Sequence, residues 1–377
     1  MIYLDNASTT KIFPEILGKI EKWSEEFYAN PNSVHPEGQK CRREIEKARD
    51  FLCKITGCKR EDIIFTSCAT ESNNTIIKGL AEKYPEKNEI VLSPIEHKSV
   101  LNPVKYLIRK GFKVKFLKID KNGIVDTDDL RKKISKSTLF VGVIHVNNET
   151  GVIQDVKEIG KVCREMEVFF FSDTVQSFGK VDIPFELIDF FSISGHKINA
   201  PKGVGIMKKS SDLVPLLHGG GQEFGIRSGT ENTAGILALK EASEIWLNRK
   251  DIFIKKTIGL EKLLINKLKE NIPEVKIVSE NKKVPYITTV IFPEVKGHDM
   301  VIALGREGIA VSSGSACSSG SPLPSHVLTG YGYSEEEALS GVRFSFGWDT
   351  TEEDISIAVE KSTDIYKKLK RFTGFSL

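Results

Sequence analysis

The chain predicts an α/β protein: a large domain with a mostly parallel sheet flanked by helices, plus a small α+β domain. Three observations carry this expectation. Between residues 63 and 194, short runs rich in β-branched and aromatic side chains alternate with amphipathic stretches at helical spacing. Repeated units of this kind build parallel sheets covered on both faces. Beyond residue 270 the regular alternation is lost, which points to α+β packing. At 377 residues the chain is also too long for one small core. The expected division is 12–250 for the large domain, with 1–11 and 251–377 forming the small one.

A strand is expected over 2–4, followed by the loop Ala7-Ser8-Thr9-Thr10 and a helix over 14–28. Asn30-Pro31-Asn32-Ser33 signals a turn. Residues 37–55 place apolar side chains at helical spacing with charges between them. Strand 63–67 gives way to a helix over 68–80, opened by Cys68-Ala69-Thr70-Glu71-Ser72. Strands over 89–92, 113–119 and 139–146 alternate with helices over 98–110, 127–134 and 156–165. Two buried strands follow, 168–172 and 188–193, and then a turn-rich stretch over 198–205. Ser228-Gly229-Thr230-Glu231-Asn232 caps a long helix through 248, and a second, lysine-rich helix over 252–270 leads into the small domain. There, strands are expected at 276–278, 288–292, 309–311 and 342–346, with helices at 299–305 and 352–370.

Charge excludes several function classes. Lys and Arg total 54 against 51 Asp and Glu, a formal charge of +3. That balance gives no argument for direct nucleic-acid binding or an anionic membrane. The N-terminus has no signal-peptide pattern, and no apolar run is long enough to span a bilayer. A cytoplasmic protein is expected. No pair among the six cysteines has C-x-x-C spacing, so each is expected reduced, as buried filler or as a reactive thiol.

Two strand ends hold the chemistry. Ser194-Gly195-His196-Lys197 follows the apolar run 188–193. A lysine at the carboxyl end of a strand, beside small residues, can reach the crevice where open α/β sheets bind ligands. Lysine amines form Schiff bases with carbonyl compounds, pyridoxal phosphate (PLP) among them. The competing reading is an ordinary solvated lysine. Asp173 ends the preceding apolar run. PLP sites pair such a lysine with an acid that keeps the pyridine nitrogen protonated. A loop acid or helix cap is the alternative, made less attractive by the polar groups of Thr174-Val175-Gln176-Ser177.

Other groups add to this. Cys68-Ala69-Thr70 opens a helix, whose free N–H groups and positive dipole end suit a phosphate. His97 follows a strand and could stack on a cofactor ring or move protons, although a lone histidine is more often merely packed. Asn147-Asn148-Glu149-Thr150-Gly151 ends another strand, where a side-chain amide could bond a phenolic oxygen or a carboxylate, or simply make a turn. His218-Gly219-Gly220-Gly221 is like a lipase oxyanion loop, but no Gly-x-Ser-x-Gly elbow supplies a nucleophile. Its glycines also miss the last position of a dinucleotide fingerprint, where Phe224 stands. Finally, Cys317 sits in a serine- and glycine-rich stretch, 312–321, with little to bury. A mobile, exposed loop is expected, and an exposed thiol can carry a group on its sulfur. Cys68 is its competitor, since a helix start favours thiolate.

Leu4-Asp5-Asn6, Thr66-Ser67-Cys68-Ala69-Thr70-Glu71-Ser72, Glu96-His97, His145-Val146-Asn147-Asn148-Glu149, Asp173-Thr174-Val175-Gln176-Ser177, Ser194-Gly195-His196-Lys197, Arg227-Ser228-Gly229-Thr230 and the Cys317 loop occur in this order across essentially the whole chain. Together they resemble the cysteine desulfurases of the NifS/IscS type, within the fold-type-I PLP enzymes (aminotransferase class V). The serine-rich cysteine loop resembles that of the group I branch. The resemblance implies that Lys197 carries PLP and moves protons, and that Asp173 pairs with the pyridine nitrogen. It implies that His97 stacks on the ring and acts as acid and base, and that Gln176 and Asn148 bond the ring oxygen or the substrate. Ala69, Thr70, Ser194 and His196 would hold the phosphate, with Thr230 reaching in from the other subunit of a homodimer. Arg343 would clamp the carboxylate of L-cysteine, a bidentate task that suits guanidinium. Cys317 would take the substrate's sulfur as a persulfide, leaving alanine. A sulfur-acceptor protein, such as an iron–sulfur scaffold, would follow. No stable metal site is implied, transient ligation of an iron–sulfur cluster by Cys317 being the exception.

The departures are small. Cys68 replaces a usual glycine, Ala200 replaces the glycine expected before Pro201-Lys202-Gly203, and Ala7-Ser8-Thr9-Thr10 differs from the usual Ala-Thr-Thr. None removes a reacting group. The chain ends at Leu377, so the longer C-terminal extension of IscS-type members is expected to be absent. The rival readings are a selenocysteine lyase, another fold-type-I enzyme such as an aminotransferase, and a catalytically idle scaffold.

Overall fold

The structure is a computed structural model, and it describes residues 1–314 and 323–373. Cys317 and most of its loop lie outside the described residues. A seven-stranded sheet organises the first two-thirds of the chain. Its order is Ile63–Thr66, Gly205–Lys208, Phe190–Ser194, Phe169–Asp173, Thr138–Gly142, Glu89–Leu92 and Lys113–Phe116. Gly205–Lys208 runs antiparallel to both neighbours, and the other paired strands are parallel. The mostly parallel sheet flanked by helices is therefore as expected.

The sheet is covered on both faces, which explains its unbroken apolar runs. Alternation by two still sorts the side chains. Val91, Val141, Phe170 and Phe191 enter one core cluster, while Ile90, Leu92, Phe140, Phe171 and Phe190 enter another on the opposite face.

Strand Gly205–Lys208 falls where only turns were expected up to residue 205. It is four residues long and opens on a glycine. A Cβ at Gly205 would stand 2.7 Å from the Ile193 carbonyl oxygen and 2.9 Å from the Cys68 Cα. The glycine thus marks a strand squeezed against the helix start, not a loop.

The C-terminal third carries a three-stranded antiparallel sheet, Gly341–Ser345, Ile287–Ile291 and Lys276–Ile277. Ile2–Tyr3 pairs in parallel with Ile309–Ala310, and Leu4 packs into the same core as Leu264, Phe292 and Phe344. The two helices expected around residue 250 are one, Thr233–Asn271. No proline or glycine interrupts Asn248-Arg249-Lys250-Asp251-Ile252, so nothing breaks the helix there. Its buried face instead changes partners: Trp246 and Phe253 pack with the first core, Leu260, Leu264 and Leu268 with the C-terminal one. Two short helices were not expected, His326–Gly330 and Glu335–Leu339. Each has too few residues for a periodic signal, and each is set by a serine N-cap, Ser325 or Ser334. Among the described residues, no helix is long and apolar enough to cross a membrane.

Candidate active site

The carboxyl ends of the parallel strands converge on a cavity of about 290 Å³. It brings together Ala69, Thr70, His97, Asn148, Asp173, Gln176, Ser194, His196 and Lys197, along with Cys68 and Ser99. Thr230 and Arg343 are not among its lining residues.

Lys197 ends the short turn Gly195–Lys197, which follows strand Phe190–Ser194. Its Nζ donates to the carbonyl oxygens of Ala7, at 2.5 Å, and Ser8, at 2.7 Å. Burial, then the nearby Arg343 charge, push the amine down to about 8, against the pull of Asp5 and Asp173. Burial, with no carboxylate of the described residues in direct contact, gives this amine a larger neutral, nucleophilic fraction than an exposed lysine has, although the protonated form still leads below about 8.

Across the cavity, Asp173 closes strand Phe169–Asp173. Its Oδ1 accepts from the Val175 N–H at 3.0 Å, and its Oδ2 accepts from Asn73 Nδ2 at 3.1 Å. The same amide donates to Ser99 Oγ at 2.9 Å. Ser99 Oγ lies 2.7 Å from His97 Nδ1, which also accepts from the Ser99 N–H at 3.1 Å. The chain of donors therefore runs from Asn73 through the Ser99 hydroxyl to His97. It leaves Nδ1 as acceptor and the neutral imidazole's proton on Nε2. The surrounding walls lower the His97 pKa by desolvation, with Asp173 opposing and Lys197 assisting. Asn73 and Ser99 were not singled out from the sequence. The signal was available for Asn73: it stands three residues after Thr70 on helix Ala69–Lys83, hence on the same face.

The opposite end of the cavity suits an anion. Cys68 caps helix Ala69–Lys83 with extended backbone and no side-chain hydrogen bond, so it leaves the first-turn N–H groups to another acceptor. Ser194 Oγ is buried without a partner among the described residues. His196 Nδ1 lies 3.1 Å from Thr9 Oγ1, and burial with the Lys197 charge pushes this imidazole down to about 4. An orphaned hydroxyl, free helix N–H groups and an imidazole on one wall are what a phosphate monoester requires.

Arg343, on strand Gly341–Ser345, lies just behind the wall. It donates to the Asn148 carbonyl oxygen at 2.8 Å, to Ser8 Oγ at 2.6 Å and to Asp5 Oδ1 at 2.8 Å, while its buried Nε has no partner among the described residues. Gln176 Nε2 donates to the Ala7 carbonyl oxygen at 2.8 Å. Thr230 is exposed. Its segment is nonetheless tied to the phosphate-side helix, because Arg227 pairs with Glu71 at 2.9 Å.

The family model for aminotransferase class-V matches residues 2–357. The chain belongs to this family. A cysteine desulfurase IscS of Dictyoglomus turgidum is 37% identical over 380 residues, covering 99% of this chain and 96% of the relative. The IscS cysteine desulfurase of Rickettsia prowazekii is 41% identical, over 99% of this chain and 92% of its own length. A solved structure described as a NifS-like protein superposes with a TM-score of 0.91 at 35% identity, covering 98% of this chain and 100% of that one. Aminotransferase class-V enzymes use PLP, and PLP is the cofactor of this chain. The cavity fits it: an acid for the ring nitrogen, an amine for the aldehyde and an unpartnered hydroxyl beside a helix start for the phosphate.

Proposed function

We propose that this protein is a PLP-dependent cysteine desulfurase. It converts L-cysteine to L-alanine and passes the sulfur atom to the Cys317 thiol, which becomes a persulfide. The substrate's C–S bond breaks, an S–S bond forms, and the thiol proton balances the new C–H bond. The observation that carries this reading is Lys197 opposite Asp173 in one cavity at adjacent strand ends, the amine pushed down to about 8.

When bound, PLP supplies the electron sink that lets bonds at the substrate's α and β carbons break. The chain's residues do the rest. Lys197 anchors the cofactor and shuttles a proton at Nζ. Asp173, fixed by Asn73 and the Val175 N–H, holds the proton on the pyridine nitrogen. His97, on the cavity wall, would pack against the cofactor and give or take a proton at Nε2. Ala69, Thr70, Ser194 and His196 grip the phosphate. Gln176 and Asn148 bond the ring oxygen or the substrate. Arg343, just behind the wall, exchanges its Asp5 contact for the substrate carboxylate, its Nε having no partner among the described residues.

The active unit is a homodimer in which Thr230 of one subunit completes the phosphate site of the other; its exposure and the Arg227–Glu71 tie support this. The sulfur acceptor is an iron–sulfur scaffold or a comparable protein, met in the cytoplasm. Mass spectrometry after adding L-cysteine without reductant tests the route. A persulfide on Cys317 and one alanine per persulfide are expected. A persulfide on Cys68 with Cys317 unmodified would overturn it.

A further inference from the structure

Behind the cavity lies a second buried lysine that the proposed chemistry does not use. Lys180 follows Asp173 and Gln176 in one turn-rich segment. Gly179, at φ +74°, brings this segment against Trp246, where a Cβ would stand 2.9 Å from the Trp246 Cβ. Lys180 Nζ sits 5.2 Å from the ring centroids of both Trp246 and Tyr286. It donates at 2.8 Å to one acceptor, the carbonyl oxygen of Lys197. Among the described residues it has no carboxylate partner.

Such a placement is costly. A buried ammonium with one carbonyl and two ring faces is poorly compensated, and burial pushes this amine down to about 7. Methionine would fill similar space with no charge to desolvate. A costly group kept where packing alone does not demand it points to function.

We propose that Lys180 is a positioning residue for Lys197: it pins the Lys197 carbonyl from behind and so fixes where the Lys197 side chain enters the cavity. The segment then touches the site on two sides. Asp173 and Gln176 face the cavity, and Lys180 reaches round to the back of the turn that carries the cofactor-binding amine. Lys197 has its amine held by the Ala7 and Ser8 carbonyls and its main chain held by Lys180. Both ends of the side chain are thereby set before any ligand arrives, and pre-set geometry is what rapid covalent capture needs. The proposal rests on Lys197 being the residue that binds PLP.

The test uses the full chain stripped of PLP, with PLP added back. Two quantities are read: the melting temperature of the stripped protein, and the rate at which borohydride-fixable PLP appears on Lys197. For Lys180→Met, the melting temperature should stay within about 3 °C of wild type, since the lost contact is offset by the removed desolvation cost. Capture should slow about tenfold to a hundredfold, the range for losing a charge-assisted hydrogen bond. Capture at the wild-type rate overturns the proposal. If Lys180→Met does not fold, Lys180→Gln, too short to reach the carbonyl, is judged by the same two readings. Unfolding of both variants would make Lys180 a packing residue and also overturn it. A wild-type label mapped away from Lys197 would instead sink the assignment of Lys197, which separates the two failures.

Discussion

The two ends of the seven-stranded sheet differ in how they hold some of their buried or partly buried polar groups. At the amino end, charged groups meet partners of opposite sign or backbone groups that complete them. Asp189, before strand Phe190–Ser194, accepts from the Phe170 N–H at 2.8 Å and feels the charge of Lys208. Glu89 opens its strand paired with Lys115 at 2.7 Å and bonded by Ser135 Oγ at 2.6 Å. At the carboxyl end, among the described residues, the hydrogen-bond acceptors of Lys197 and Lys180 are carbonyl oxygens with no carboxylate beside them, and Ser194 Oγ has no partner. The first arrangement stabilises a fold. The second leaves compensation to be completed by a ligand, and its perturbed groups mark where the chemistry is.

The largest break in this contrast is Lys197→Ala. On the proposed role of Lys197 in bonding the cofactor, its removal should cost on the order of a thousandfold or more in turnover. PLP should still co-elute with the protein on gel filtration, because the phosphate wall is untouched. Borohydride should then fix no label. Turnover close to wild type would mean that the nucleophile lies elsewhere.

A smaller but more telling effect lies in the pH dependence. Lys197 is pushed down to about 8, so its amine is mostly protonated below that pH and mostly free above it. A protonated amine cannot attack the aldehyde. PLP capture by the stripped protein should therefore rise with pH, reach half its maximum near 8 and level off above. An unperturbed lysine would place the midpoint near about 10.4. A midpoint there would mean that burial and the Arg343 charge do not lower this amine as argued.

Much of the carboxyl end was legible in sequence because its groups sit at strand ends, where an apolar run stops at a polar residue. Asp173 and Lys197 announce themselves in that way, and the order of motifs singled out Ala69, Thr70, His97, Asn148, Gln176, Ser194 and His196, which line the same cavity, together with Thr230 and Arg343, which do not. The supporting groups were less legible: spacing from Thr70 puts Asn73 on the same helix face but does not name its partner. Asn73 is an asparagine inside a helix, Lys180 a lysine in a polar turn, and nothing local says that one reaches Asp173 and the other the Lys197 carbonyl. Their roles arise only when strands distant in sequence become neighbours. The same holds for the missed strand Gly205–Lys208, whose glycine carries meaning only beside Cys68. The continuous helix Thr233–Asn271 was misread for another reason: a change of packing partner looks, in sequence, like the end of an element.

The smallest effect tests the amino end. The Glu89 carboxyl is held below its ordinary pKa, chiefly by Lys115 and then by Ser135. A carboxyl whose folded pKa is depressed stabilises the fold above its unfolded value, near about 4.3, and loses that contribution as pH falls through the folded value. The pair is partly exposed, with side-chain exposures of 15% for Glu89 and 35% for Lys115, so screening by water limits its worth. Glu89→Gln should cost no more than about 1 kcal/mol at pH 7. The gap between the variant and wild type should close as the pH falls below the ordinary carboxylate value and through the lowered folded one. Turnover and PLP capture should not change, since Glu89 stands at the far end of the strand that leads to His97. Urea unfolding at several pH values, run beside a turnover assay, checks both halves. A variant that loses activity without losing stability would show that the two ends of the sheet are coupled, and the division of labour between them would have to be abandoned.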